Sequence, residues 1–206
     1  VQRWLRVFGP AATRRLCDWN NSRPEIAIHV NSLKISRKAY LELLRGGGLE
    51  LPDWRLGASG CISLPPGQRV ETLPGYADGH FVVLDPSVLG AVAQLDPQPG
   101  EEVLDACAAP GGKTFFIAEA MRKQGRLVAL DLHDDRLARL RENLRRLDIA
   151  DFVTVQQANA MNLEVEPAGS FDRILLDVPC TNTGVLRRRP DARWRFSERR
   201  LASLVH

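Results

Sequence analysis

The chain predicts an α/β fold, an open parallel sheet preceded by a small α+β module. Three observations carry that expectation. From Glu102 onward, apolar runs alternate between strand and helix character; a glycine-rich turn, Asp105-Ala-Cys-Ala-Ala-Pro-Gly-Gly-Lys-Thr114, lies between the first such run and a helix; and a proline-rich stretch separates this rhythm from a different one before it.

Taken in order, residues 1–5 have an amphipathic helical pattern that residues 11–20 continue as a second helix, so 1–20 reads as a helical linker. Arg23-Pro24 breaks it. Residues 26–30 suit a short strand and 36–44 a helix stopped by Gly46-Gly-Gly48. A loop-rich stretch with Pro52, Pro65, Pro66 and Pro74 closes on a strand at 81–84, which makes 21–86 a small α+β module. A helix at 86–95 and the turn Asp96-Pro-Gln-Pro-Gly100 lead into residues 87–206, read as a partial parallel-sheet domain. Its strands fall at 103–105, 127–131, 152–155 and 173–177, the last expected to be buried, with helices at 113–123 and 134–147 between them. In the second helix Leu137, Leu140, Leu144 and Leu147 form one stripe amid Arg136, Arg139, Arg141 and Arg145, the mark of a surface helix lying on a sheet. A last helix at 197–205 has no strand after it. Such sheets usually have five or more strands, so the expectation is a fragment cut at both ends, the C-terminal cut falling inside the domain, with an exposed sheet edge.

Composition narrows the function. With 206 residues and 44% apolar content the chain can bury a sizeable core. No run approaches the roughly 20 apolar residues of a membrane span, and no stretch resembles a secretory signal, so a cytoplasmic protein without a membrane partner is expected. Cys17, Cys61, Cys107 and Cys180 form no C-x-x-C pair and the four histidines are scattered, which speaks against zinc, other metals and disulfides. Arginine makes up 24 of the 28 basic residues, and residues 186–200 hold seven of them against Asp191 and Glu198. Such a run is either a solvated face or, with Trp194 and Phe196 interleaved, a nucleic-acid surface centred on Arg187, Arg188, Arg189 and Arg193.

The glycine turn ends a strand and opens a helix, where small residues and free N–H groups let a ligand approach the backbone. Gly112-Lys113-Thr114 invites comparison with a P-loop, yet Cys107 stands where the first glycine is required, and Cys107 and Ala109 replace the first two glycines of a dinucleotide fingerprint. Asp131 ends the second strand, where a carboxylate can accept from a ribose or act as a helix cap, with Asp134 the stronger candidate for the cap. Asn159 follows the third strand, suited to an adenine contact or to a turn. Asp177, Pro179 and Cys180 put a carboxyl group, a rigid ring and a thiol together, a set that fits pyrimidine activation: the carboxyl group holds the cytosine N3 and N4 edge while a thiolate adds to C6.

The glycine turn and Asp177-Val-Pro-Cys-Thr-Asn-Thr-Gly184 resemble the RNA cytosine-5 methyltransferases, most closely the bacterial members acting on 16S ribosomal RNA. The likeness extends through Trp4-Leu5, Asn20 to Pro24, Val30-Asn31 and Gly184 to Asp191. It implies a class I, Rossmann-like methyltransferase sheet using S-adenosylmethionine, with RNA as partner, ribosomal RNA first and transfer RNA second. By position it implies that Cys107, Ala108, Ala109, Pro110, Gly111, Gly112 and Lys113 surround the cofactor, Asp131 meets its ribose, Asn159 its adenine, and Asp177 lies between cofactor and base. In that family the attacking thiolate belongs to a Thr-Cys pair, absent from this sequence, and the Pro-Cys cysteine, here Cys180, helps release methylated RNA; DNA cytosine-5 methyltransferases instead attack with a Pro-Cys thiol. Asn159 replaces the family's aspartate and Leu84-Asp85 its common Gln-Asp. A P-loop nucleotidase and a noncatalytic RNA-binding fragment stand as alternatives.

Overall fold

A computed structural model describes residues 1–49, 51, 60–162, 170–202 and 204. Pro52 of the expected loop and the end of the expected last helix at Val205 lie outside them. The chain forms two compact units: Ile26–Asp177, which holds both sheets, and Val1–Glu25 together with Val178–His206. The expected consecutive segments 1–20, 21–86 and 87–206 differ from this grouping, in which the two ends of the chain pack together and the module shares one unit with the parallel sheet.

In the first unit, β1 (Ala27–Val30) lies between β2 (Cys61–Ser63) and β3 (Phe81–Leu84) in an antiparallel sheet. Strand β2 falls in the stretch expected to be loop; three residues are too few to show a period, and it forms because Ile62 pairs opposite Ile28 over a shared core. Helix α1 (Gln2–Asn21) belongs to the other unit, and α2 (Arg37–Gly46) covers the sheet, its N-terminus capped by Ser36, whose hydroxyl accepts from Ala39 N–H. Tyr40, Leu44, Ile28, Ile62 and Phe81 fill the space between them.

After α3 (Ser87–Leu95), the chain alternates as expected: β4 (Glu102–Asp105), α4 (Gly112–Ala120), β5 (Arg126–Asp131), α5 (Asp134–Arg146), β6 (Val153–Gln157) and β7 (Arg173–Leu175). All pairings are parallel and the order is β6-β5-β4-β7. The chain therefore steps outward from β4 to β6 and returns on the other side at β7, and the strand ends beside the β4–β7 reversal open a crevice, the place where such sheets bind ligands. Leu137, Leu140, Leu144 and Leu147 are buried as their spacing requires. Asp134 is not the cap of α5: His133 occupies that position, and Asp134 and Asp135 sit in the first turn, where carboxylates meet the positive end of the helix. Strand β7 stops at Leu175 and is not buried, since it pairs only with β4 among the described residues and Ile174 is 49% exposed.

Two sets of contacts fasten the module to the parallel sheet. Asn31, fully buried, donates to the Gly79 and Leu147 carbonyls, and Arg146 donates to the Tyr76 and Phe81 carbonyls. Gly79 has φ 68°, and a Cβ there would collide with the Arg146 carbonyl. On the other side Glu119 of α4 accepts from Ser32 N–H and Oγ and pairs with His29 Nε2 at 3.0 Å. Burial pushes the Glu119 carboxyl up, but the bonds from His29 and Ser32 leave it below its ordinary range.

In the second unit, α1 is two helical stretches, as expected, interrupted at Gly9 (φ 72°, ψ 171°) before Pro10. The other end contributes α6 (Ala192–Arg195) and α7 (Glu198–Ala202).

Candidate cofactor and active site

The loop from β4 to α4 is held by backbone bonds at each side of the sheet. Ala106 N–H donates to Leu175 O and Ala108 N–H to Leu130 O, so the turn straddles the central strands. The Ala109–Pro110 peptide is cis. Gly111 has φ 106°, and a Cβ on it would stand 2.8 Å from Leu140 Cδ1, which together require glycine. A Cβ on Gly112 would meet nothing within 4 Å, so there is open space beside the first helical turn. Phe115 N–H donates to Gly111 O, and the N–H groups of Gly112, Lys113 and Thr114 precede it at the positive end of α4.

Three carboxylates surround this turn. Asp131, 2% exposed, accepts from Ala109 N–H at 3.2 Å, pairs with Arg136 at 3.2 Å and accepts a longer bond from His133 N–H. Arg136 also donates to the Ala109 carbonyl, and Asn143 donates to that of Pro110. Asp131 thus organises the loop, and a carboxylate's remaining lone pairs can still meet ribose hydroxyls. Asp105, 1% exposed, accepts from Thr114 Oγ1 at 2.8 Å, while its Oδ1 is buried without a partner. Burial pushes its carboxyl up to about 6, against the opposing pull of Thr114, Lys113 and the Cys107 backbone N–H. Asp177, just past β7, accepts from Lys113 Nζ at 2.6 Å and is 55% exposed, so it stands at the crevice with one face toward solvent. Any phosphate approaching Lys113 would compete with that pair.

The predicted set divides three ways. Cys107 to Lys113, Asp131 and Asp177 lie together past the ends of β4, β5 and β7, Asp131 bonded to Ala109 N–H and Asp177 to Lys113 Nζ. Asn159 is exposed after β6, and its Oδ1 accepts from Met161 N–H, the turn role open to it from sequence. Cys180 and the four arginines belong to the other unit. There Cys180 is exposed, its Sγ accepting from Asn182 N–H at 3.4 Å. Burial, then the carboxylates of Asp131 and Asp105, push the Cys107 thiol up, which disfavours a thiolate inside the loop. Asp105, Thr114, Arg136 and Asn143 are site residues the sequence reading missed.

Small residues, a free helix N-terminus, an unpartnered buried carboxylate oxygen and a strand-end acid fit a nucleoside-bearing cofactor with a cationic group. A family model described as 16S rRNA methyltransferase RsmB/F matches residues 92–206, and one described as Methyltr_RsmF/B-like, ferredoxin-like domain, matches residues 1–62. The chain belongs to the RsmB/F family. Ribosomal RNA small subunit methyltransferase B of Pectobacterium atrosepticum is 43% identical over 95% of this chain and 45% of its own length. The chain therefore spans about half the length of the curated RsmB relatives it matches. A methyltransferase homolog protein from Pyrococcus horikoshii is 30% identical with a TM-score of 0.74, over 92% of this chain and 61% of that one. NSun6 from the same organism, solved with SFG, shares the fold at 20% identity and a TM-score of 0.72, over 87% of this chain and 70% of that one. Membership in the RsmB/F family agrees with the expected Rossmann-like methyltransferase sheet. No helix among the described residues is long and apolar enough to cross a membrane.

Proposed function

We propose that the chain carries the cofactor and base-binding core of an S-adenosylmethionine-dependent RNA cytosine-5 methyltransferase acting on 16S ribosomal RNA in the cytoplasm. The observation that carries this reading is that the glycine turn and the start of α4 bond three strand-end acids, Asp131 through Ala109 N–H, Asp177 through Lys113 Nζ and Asp105 through Thr114 Oγ1. When bound, S-adenosylmethionine supplies an electrophilic methyl group on sulfonium. The 107–113 loop and the start of α4 would hold it, with Asp131 for its ribose, Asn159 for its adenine and the Asp105 carboxylate as a nearby negative charge. Lys113 orients Asp177, whose carboxyl group holds the N3 and N4 edge of the cytosine. Thiolate addition at C6 would make C5 nucleophilic, and after methylation a base would take the C5 proton, which restores the double bond and expels the thiolate. The adding thiolate is that of a Thr-Cys pair, which this sequence does not contain, and Cys180 acts in release of the product.

Calorimetry with S-adenosylhomocysteine tests the core of the proposal. The chain is expected to bind it, and Gly112→Leu is expected to abolish binding while melting at the wild-type temperature, because the added side chain occupies the open space beside the first turn. A folded chain that ignores this ligand but binds Mg²⁺-ATP, losing it in Lys113→Ala, would favour the nucleotidase instead.

A further inference from the structure

We infer that the compact unit built from the chain's two ends contains a second RNA site, a cavity that takes one unpaired nucleotide other than the target cytosine. The inference rests on the RNA methyltransferase reading above. Charge is the first support. Val1–Glu25 and Val178–His206 together carry 12 arginines, no lysine and four carboxylates, a net charge of +8, whereas Ile26–Asp177 has 16 basic and 21 acidic residues, a net of −5. The chain's whole positive excess therefore resides in the smaller unit, which suits a polyanion.

The cavity is the second support. It measures about 690 Å³, within the range of small-molecule sites. Trp4 and Phe196 supply aromatic faces, Leu186 an apolar wall, and Arg3, Asn20 and Arg193 polar groups. Arg193, exposed at the C-terminal end of α1, donates to Asn21 Oδ1 and Asn20 O, both at 2.8 Å, which brings its guanidinium beside the opening. Phe196 is 54% exposed, and neither it nor Trp4 has a ring partner or a place in a hydrophobic core cluster among the described residues. Unpartnered aromatic faces beside guanidinium and amide groups match the way unpaired bases are held, by stacking and by hydrogen bonds to their edges. A paired base keeps its faces inside the duplex and cannot enter. None of the lining residues belongs to the cofactor loop.

The test measures anisotropy of a labelled, unstructured RNA hexanucleotide and of a duplex of the same composition. Phe196→Ala is expected to weaken the single strand about ten-fold with little change in salt dependence, since stacking and not phosphate contact is lost. Duplex binding, melting temperature and affinity for S-adenosylhomocysteine should stay at wild-type values, and Phe196→Trp should keep single-strand affinity. Crosslinking of a 5-iodouridine strand should place adducts on Trp4 or Phe196. Wild-type single-strand affinity in Phe196→Ala, or adducts confined to other residues, overturns the cavity while S-adenosylhomocysteine binding leaves the methyltransferase reading standing. Loss of both ligands in the folded wild-type chain overturns both.

Discussion

The cofactor loop and the arginine-rich segment both depend on charged side chains to hold a turn in place, at opposite extremes of burial. Around the loop, Asp105 and Asp131 are almost wholly buried, and Asp131 binds Ala109 N–H and Arg136 at once. In the other unit, Arg188 donates to Glu25 O and Arg193 to Asn20 O and Asn21 Oδ1 from exposed positions, while Arg187 donates to Arg23 O with its guanidinium 3.9 Å from the centre of the Trp19 ring. A buried charge cannot exchange its partners for water, so its removal leaves the partners stranded. An exposed arginine can release a carbonyl and take up a phosphate at small cost. The same residue class is therefore rigid framework in one region and an exchangeable contact in the other.

Asp131→Ala should break this contrast most visibly. It removes the partner of Ala109 N–H and of Arg136, and is expected to cost about 2–4 kcal/mol of stability, lowering the melting temperature by about 5–15 °C. Differential scanning calorimetry measures the shift. A change under about 1 kcal/mol would mean that the loop holds its form without its carboxylate, and that the two regions do not differ as argued.

Asp105→Asn sharpens the comparison by separating stability from binding. The folded-state carboxyl titrates at about 6, above its ordinary value of 3.8. Between those values the folded chain binds more protons than the unfolded one, so the contribution of Asp105 to stability falls as pH rises through this window and stays low at neutral pH. Asparagine removes the buried charge and keeps an acceptor for Thr114. Stability at pH 7.5 is expected to rise by about 1–2 kcal/mol, with the gain vanishing below about pH 4. Affinity for S-adenosylmethionine should fall, because the site loses a negative charge near the cationic sulfonium. Denaturant unfolding at several pH values checks the first effect and calorimetry the second; a pH-independent gain would assign the effect to packing.

The parallel strands and α5 were legible because their residues repeat with a clear period and the glycine turn lies between a strand and a helix. Asp131 and Asp177 were legible as strand-end acids, and the structure bonds each to the glycine turn, through Ala109 N–H and Lys113 Nζ. What escaped was long-range. Arg136 and Asn143 reach the loop from α5, and Glu119 meets His29 and Ser32 across about 90 positions of chain, with no local pattern to announce either contact. Asp105 was visible as the first residue of the motif, but its orphan oxygen depends on how completely the surrounding sheet excludes water. The burial expected for 173–177 failed for a related reason, because an apolar run looks the same at an edge as in the middle of a sheet. The arginines read as a uniform patch from composition, whereas folding commits Arg187 and Arg193 to carbonyls and gives the Arg189 side chain no hydrogen bond among the described residues.

Arg189→Ala carries the smallest expected effect on folding and the most direct bearing on the contrast. Exposed and bonded through its backbone alone, its N–H to Val185 O and its carbonyl to Ala192 N–H, Arg189 should change stability by less than about 0.5 kcal/mol. If the segment grips phosphates, the plot of log affinity for RNA against log salt should lose about 0.7–0.9 of its slope, the loss of one counterion-releasing contact. Arg193→Ala, which also frees the end of α1, should add up to about 1 kcal/mol of destabilisation to a similar loss of slope. Filter binding across a salt series measures both. If Arg189→Ala keeps the wild-type slope, the exposed arginines serve the fold as Asp131 does, and the distinction between framework and contact fails at the residue least tied to the framework.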